Sequence, residues 1–541
     1  MAENDWWRGA IIYQIYPRSF QDSTGDGVGD LPGITRRLDH VASLGVDAIW
    51  LSPFFTSPMK DMGYDVADYR NVDPVFGTLA DFDGLVARAH ELGLKVIIDQ
   101  VLSHTSDLHP WFKESAASPD GPKSDWYVWA DGREDGTPPT NWPAMFGGPA
   151  WEWNTRRRQY YLHNFLIEQP DLNFHNPAVQ DAILDDMRFW LERGVDGFRL
   201  DTVNFYHHDD ELRDQPPLPQ HVRDHALVPR DMQDMIYQKT QPENLPFVER
   251  MRALTDEFDA RMMVGEIGDS GDRALKVMSD YTKGESRLHM AYSFEMLSHA
   301  YSAAHFRHNI EGFFGTAHDG WPCWSLSNHD VIRHVTRWQN QAANLHDLAR
   351  QSVAMLMAFE GSVGIYQGEE LGQTETALDY EELTDPQGLR FWPEDKGRDG
   401  CRTPMVWEGD DPQGGFSDGT PWLPVKAPQQ AHAVDRQEAA NDSVLHAYRE
   451  TIAFRQNSEV LRRGGTRFMD LPEPILGFHR EAEGDALTCL FNLSKDPVRL
   501  RMDRAASPTG PRLAEMDGDA VTLPPSGFLY LDGVTTVAAV G

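Results

Sequence analysis

The sequence predicts an α/β fold: a (β/α)8 barrel of the TIM type, with a small domain inserted after the third strand and an antiparallel β-sandwich domain following the barrel. Three observations point there. Eight short, β-rich apolar runs recur between residues 11 and 366, and segments of helical periodicity separate many of them. From Gly464 onward the helical period disappears and short strands alternate with turn residues.

In chain order the predicted barrel strands are Ile11 to Tyr16, Val46 to Ser52, Leu94 to Val101, Val195 to Val203, Arg261 to Ile267, His289 to Phe294, Pro322 to Ser327 and Val363 to Tyr366. Helical spacing of apolar residues predicts helices at Leu79 to Leu92, Pro177 to Arg193, Asn244 to Phe258 and Ala342 to Phe359. The stretch 104–175 is rich in Trp, Pro, Gly and Asp and too long for a simple strand-to-helix loop, so it predicts a domain of its own. The barrel therefore comprises 1–103 and 176–460, including a loop-rich excursion at about 373–435 that is Gly, Pro and Asp rich, and a closing helix from Asp442 to Gln456. Residues 461–541 form the terminal β domain, with strands Ile475 to Arg480, Ala486 to Asn492, Val498 to Met502 and Phe528 to Leu531.

With 40% hydrophobic, 25% charged and 11% aromatic residues the chain reads as a folded globular protein. Its 49 Lys and Arg against 84 Asp and Glu give a net charge of −35, which disfavours nucleic acid, anionic membranes and polyanionic substrates. The acidity itself fits solubility or salt tolerance. Cys323, Cys401 and Cys489 are odd in number, widely separated and without a C-x-x-C spacing, which predicts reduced thiols rather than disulfides or a zinc site. Met1 to Asp5 shows neither the basic nor the apolar region of a signal peptide, and no run is apolar enough to span a membrane, so the expected location is the cytoplasm.

In such a barrel the reactive groups come from the C-terminal ends of the strands. Ionisable residues cluster there: Asp99-Gln100-Val101-Leu102-Ser103-His104 ends the third strand, Gly197-Phe198-Arg199-Leu200-Asp201 the fourth, Gly265-Glu266 the fifth and Ser327-Asn328-His329-Asp330 the seventh. Arg199 and Asp201, two apart on a strand, point to the same side, so the arginine would keep the aspartate ionised. Glu266 has no adjacent cation in sequence and is free to carry a raised pKa. One ionised and one protonated carboxyl, with Asp330 beside them, is the division of labour of glycoside hydrolysis, the two groups standing ~5–5.5 Å apart where configuration is retained.

These motifs closely resemble the α-amylase family, glycoside hydrolase family thirteen, from Trp6 to the C-terminal domain. The resemblance implies that Asp201 is the nucleophile, Glu266 the general acid/base and Asp330 the stabiliser of an oxocarbenium-like transition state, with His104, Arg199 and His329 holding sugar hydroxyls and carboxylates. Gln169-Pro170-Asp171-Leu172-Asn173 resembles the signature of the exo-acting oligo-1,6-glucosidase and α-glucosidase branch. On the same resemblance Tyr64 is the stacking tyrosine, and Asp65 with Arg402 grips the terminal glucose, a bidentate pairing that would stop longer chains from threading through. Phe146 and Phe165 would supply apolar walls and Glu381 an acceptor-side contact, while Thr202, at the position where α-1,6-preferring relatives tend to have Val, points to α-1,4 linkages.

The segment Asp22-Ser23-Thr24-Gly25-Asp26-Gly27-Val28-Gly29-Asp30 places oxygen donors Asp22, Thr24, Asp26, Val28 and Asp30 at alternate positions, like a calcium loop without the distal Glu of an EF-hand. By resemblance it would hold a structural Ca2+ or Mg2+; a metal-free acidic turn is the alternative, and Thr24 stands where the family usually has Asn. His207-His208-Asp209-Asp210 reads as a solvated barrel loop. The expected activity is a retaining exo-α-glucosidase with no catalytic cofactor, acting on small α-glucosides and acceptor sugars or alcohols as a monomer or homodimer. A transglucosylase, a sucrose-processing enzyme or an oligo-1,6-glucosidase is the alternative, the R-L-D-R-D stretch of sucrose isomerases being absent. A non-catalytic homologue, such as the ectodomain of an amino-acid transporter subunit, is opposed by the three retained carboxylates and the lack of a transmembrane segment.

Overall fold

The computed structural model describes residues 5–316 and 319–540. Its centre is an eight-stranded parallel sheet of Ile11–Ile15, Ala48–Leu51, Lys95–Gln100, Gly197–Leu200, Met262–Ile267, Met290–Ser293, Cys323–Ser325 and Ser362–Tyr366, paired in chain order with the eighth strand against the first. A parallel bridge between Ala291 and Pro322 closes the gap between the sixth and seventh strands and makes a barrel.

The strands are apolar on both faces because each face is covered, the inner by the barrel core and the outer by helices. Ile12, Ala48, Trp50, Ile97, Met262, Val264, Met290, Tyr292 and Cys323 pack inside the barrel, while Ile11, Ile49, Val96, Ile98 and Phe198 pack against the surrounding helices. This alternation fixes which polar residues point inward. Arg199 shares the inward parity of Gly197, and Glu266 that of Met262 and Val264, so both side chains form the top layer of the barrel core.

The outer helices begin where sequence supplies a cap. Leu79–Glu91 starts at Thr78, whose side chain accepts from Asp81 N in a capping box; Pro177–Glu192 starts at Asn176 with proline in its first turn; Val444–Gln456 starts at Ser443. The predicted Ala342 to Phe359 helix begins only at Leu345, because Asn344 caps it by accepting from Asp347 N. The predicted fourth strand ends at Leu200, because Thr202 turns into the left-handed region (φ 39°) and a short 3-10 turn follows at Val203–Phe205.

Three excursions from the barrel shape its C-terminal face. Between the third strand and the Pro177 helix stands a small domain with helix Pro110–Ala117 and an antiparallel sheet of Trp129–Ala130, Trp151–Asn154 and Gln159–Leu162. Between the fourth strand and helix Asn244–Thr255 runs a second long excursion, which sequence patterning does not anticipate. Beyond the Val203–Phe205 turn it contains the short helical segments Gln220–Arg223 and Pro229–Met232. It also corrects the reading of His207-His208-Asp209: all three are buried, His207 and His208 packing edge-on against His175. The third excursion follows the eighth strand and carries the short turns Tyr380–Glu382 and Pro386–Phe391.

The terminal domain is a sandwich of a five-stranded and a four-stranded antiparallel sheet. Ile475, Leu490, Leu529 and Leu531 from one sheet meet Leu500, Met502, Val521, Leu523 and Val537 from the other in a separate core.

Candidate active site

A cavity of about 530 Å3 opens at the C-terminal end of the barrel, within the range that accepts a small ligand. Asp201, Glu266 and Asp330 all line it, with Tyr64, His104, Phe146, Phe165 and Thr202. Arg199, His329 and Arg402 stand behind this wall, fully buried.

Arg199 organises the carboxyls. Its Nη1 donates to Asp99 Oδ1 at 2.8 Å and to Asp201 Oδ1 at 2.7 Å, and its Nη2 pairs with Glu266 Oε2 at 2.7 Å. The cation is therefore not reserved for Asp201, as the strand spacing alone suggests, but shared with Asp99 and Glu266. Tyr292 accepts from Arg199 Nε at 3.1 Å and donates to Glu266 Oε1 at 3.1 Å, and the backbone N–H of Thr202 donates to Glu266 Oε2 at 3.1 Å. Burial pushes Glu266 and Asp201 each up to about 7, with Arg199 opposing the shift in both. The charge of Asp201 raises Glu266 further, so the two carboxyls titrate as an interacting pair. One guanidinium thus contacts both carboxyls, each at 2.7 Å.

Asp330 is held differently. Burial favours its neutral form, but His329, Arg398 and Arg402 outweigh that and keep it ionised well below the usual carboxylate range. Arg398 Nη1 and Arg402 Nη2 reach its Oδ1 at 3.2 and 3.0 Å. His329 stacks on Tyr64, with Nε2 2.6 Å from the phenol oxygen and 3.2 Å from Asp330 Oδ2. Its Nδ1 lies 2.8 Å from Gln14 Nε2.

The terminal pairing inferred for Asp65 and Arg402 is corrected by the structure. Asp65 is fully buried away from the cavity, accepting from Ser57 Oγ at 2.9 Å, Lys60 N at 2.8 Å and Asp61 N at 3.1 Å, so it shapes a loop. Asp61 lines the cavity instead, with Oδ1 accepting from Arg398 Nη2 at 2.8 Å. Arg398 also grips Asp385 Oδ1 at 2.7 Å. Arg402 donates to the His329 carbonyl at 2.7 Å and braces Asp330 from behind.

Gln169 of the Q-P-D-L-N stretch ties the inserted domain to this end of the site. Its Nε2 lies 3.2 Å from Asp61 Oδ2, 3.2 Å from the Tyr64 carbonyl and 3.1 Å from His104 Nε2. Burial lowers His104 to about 4, so it is a neutral imidazole at physiological pH. Thr202 Oγ1 lies 3.2 Å from Asp201 Oδ2 and 3.2 Å from Ser103 Oγ. Phe165 packs between Phe146 and Phe205, all three lining the cavity. Glu381 is exposed and lies outside the cavity lining.

Sequence reasoning did not assign roles to Asp61, Asp99, Tyr292, Arg398 or Lys239. Two of them had a signal: D-M-G-Y-D holds two aspartates and G-R-D-G-C-R two arginines, and only the fold shows that the first of each faces the cavity.

The Asp22–Asp30 loop is all oxygen donors, the chemistry Ca2+ or Mg2+ takes. Asp22 Oδ1 accepts from Thr24 N at 2.7 Å and Gly25 N at 2.9 Å, its Oδ2 from Gly27 N at 2.8 Å, and Asp30 accepts from Ser23 N and Gly33 N. Among the described residues no three His, Cys, Asp or Glu side chains gather as a metal cluster. The loop lies outside the catalytic cavity lining.

A (β/α)8 barrel whose C-terminal face brings together two buried carboxyls on one guanidinium and a third, ionised carboxylate is the scaffold of a glycoside hydrolase. The chain belongs to the α-amylase family: the model of the α-amylase catalytic domain matches residues 14–464. It is 55% identical over 499 residues to a probable α-glucosidase of Rhizobium meliloti (strain 1021), covering 91% of this chain and 90% of that one. It is 36% identical over 533 residues to the oligo-1,6-glucosidase of Heyndrickxia coagulans, covering 91% and 93%. Among solved structures it resembles the α-glucosyl transfer enzyme XgtA, with a TM-score of 0.94 and 53% identity over 98% of this chain and 99% of that one. No helix among the described residues is long and apolar enough to cross a membrane.

Proposed function

We propose that the protein is a retaining exo-α-glucosidase that releases α-glucose from the non-reducing end of maltose, short maltooligosaccharides and other small α-glucosides, with α-1,4 linkages preferred. The observation that carries the exo reading is Arg398. By joining Asp61, Asp330 and Asp385 it ties three separate loops together at one end of the cavity, which supports a site that takes a chain end rather than a through-going chain.

In the first step protonated Glu266 gives its proton to the glycosidic oxygen while ionised Asp201 attacks the anomeric carbon, breaking the bond to the leaving sugar and forming a glucosyl ester. Asp330, held ionised, faces the positive charge that develops on the ring. In the second step the Glu266 carboxylate takes a proton from water or an acceptor hydroxyl, whose oxygen displaces Asp201. Two inversions retain the α configuration. Water and acceptor compete for the same intermediate, so transglucosylation accompanies hydrolysis, a reading supported by the likeness to an α-glucosyl transfer enzyme.

No cofactor enters these steps; a Ca2+ or Mg2+ ion held by the oxygens of Asp22, Thr24, Asp26, Val28 and Asp30 would be structural. Three buried free thiols support a cytoplasmic location, where the protein would act as a monomer or homodimer. The test is glucose release, with product chromatography, from maltose, isomaltose, sucrose, trehalose and soluble starch. Rapid release from maltose with little from isomaltose and starch is expected; preference for isomaltose would overturn the linkage assignment, and no glucose from any of the five the activity itself.

A further inference from the structure

Lys239 closes the second barrel excursion and lines the cavity, although it is only 6% exposed. Its ammonium donates to the carbonyl of Gly268, two residues beyond Glu266, so it stands on the side where the protonated glycosidic oxygen departs. The Asp61–Arg398 end belongs to the other sugar. Asp269 Oδ1 forms an ion pair with Nζ at 3.7 Å, too long for a hydrogen bond. An ammonium carries three N–H donors, and one is spent on Gly268.

Other residues also hold the groups around this cation. Asp269 is already satisfied by Arg273 Nε at 2.7 Å and Thr240 Oγ1 at 3.0 Å. Gly268 is separately tied through its N–H to Asn204 Oδ1 at 3.0 Å. A buried ammonium that lines the cavity, seated 5.3 Å from the Phe205 ring centroid and with N–H groups beyond the one given to Gly268, can donate to sugar hydroxyls there.

We propose that Lys239 binds the hydroxyls of the sugar on the leaving-group side of the cleaved bond and is a specificity-determining residue of the reaction. The inference rests on the glucosidase reading above. The same contact serves an acceptor sugar in the transfer reaction, which enters where the leaving sugar departs.

The test compares Lys239→Met and Lys239→Arg with the wild type on maltose and on 4-nitrophenyl α-glucoside, whose leaving group offers no sugar hydroxyls. Lys239→Met should lower kcat/KM for maltose about tenfold, mostly through KM, the loss of one hydrogen bond to a neutral hydroxyl. The aryl glucoside should lose no more than about threefold, Lys239→Arg should recover part of the maltose loss, and the transfer-to-hydrolysis ratio should fall in Lys239→Met. Equal losses on both substrates, or none on either, would overturn the proposal while leaving the glucosidase reading intact. A wild type inactive on both would overturn the glucosidase reading and the proposal with it.

Discussion

Which aspartate grips the terminal glucose is decided by comparing Asp61→Asn with Asp65→Asn. Asp61 reaches the cavity and accepts a charge-assisted hydrogen bond from Arg398 at 2.8 Å. Asparagine keeps the shape but removes the charge that orients Arg398 and binds sugar hydroxyls. Charge-assisted hydrogen bonds contribute ~1.5–3 kcal/mol; taking about 2 and 1.36 kcal/mol per decade, kcat/KM should fall about thirtyfold. The fall should be the same for maltose and maltotriose, because both present the same terminal glucose. Asp65 has no cavity contact and accepts two backbone N–H groups and one hydroxyl. Asp65→Asn turns an amide N–H toward one of these donors and should cost ~1–3 kcal/mol of stability, lowering Tm by several degrees, while kcat/KM at 25 °C stays within about threefold. Glucose-release kinetics and thermal melts of both variants suffice. A greater loss of activity in Asp65→Asn than in Asp61→Asn, or an Asp61→Asn enzyme within about twofold of wild type, would refute the assignment.

Asp201→Asn should abolish turnover while leaving circular dichroism and Tm near wild type; an active variant would remove Asp201 as nucleophile. Glu266→Gln should lower kcat on maltose by ~10²–10⁴ and much less on 4-nitrophenyl α-glucoside, whose phenolate leaves without a proton; equal losses would argue against general acid catalysis. Replacing Thr202 with Val deletes the hydroxyl beside Asp201 and Ser103, and the isomaltose-to-maltose ratio should rise; an unchanged ratio removes Thr202 from linkage selection. The pH profile follows from Glu266 and Asp201, both pushed up to about 7 by burial. Glu266 must be protonated, so activity falls as pH rises past the pair's upper titration. Asp201 must be ionised, so activity falls as pH drops past the lower one. The maximum should lie near neutrality, and a plateau reaching about pH 9 would show that Glu266 is not the acid.

What could be read in the sequence and what could not divides along the same line as strands and loops. Within a strand the period of two dictates direction, so Arg199 and Asp201 could be placed in the barrel interior from spacing alone, and all eight barrel strands form where apolar runs lie. Loops have no such period. Asp61 and Asp65, or Arg398 and Arg402, are four residues apart in irregular backbone, and which one meets the cavity depends on loops brought together from distant parts of the chain. The 201–243 stretch hid for a related reason: its polar composition reads as solvent-exposed, yet His207, His208 and Asp209 are buried beneath the neighbouring domain. Charge sharing was equally invisible. Glu266 lacks a cation in sequence because its cation comes from the adjacent strand, where Val264 lies opposite Arg199.

That shared cation links Asp201 and Glu266 through a residue buried behind the cavity wall. Arg199 lies beside Asp99 in the ladder between the third and fourth strands, and its planar fork gives Nη1 to Asp99 and Asp201 while Nη2 faces Glu266. A lysine offers its donors from a single point and could not span these positions at 2.7 Å on each side. The fork therefore does two things at once. It holds Asp201 and Glu266 against one group, and it opposes the burial that raises both carboxyls. One positive charge is divided among Asp99, Asp201 and Glu266, and with that share Glu266 stays raised by burial, the condition under which a carboxyl can hold a proton for a leaving oxygen.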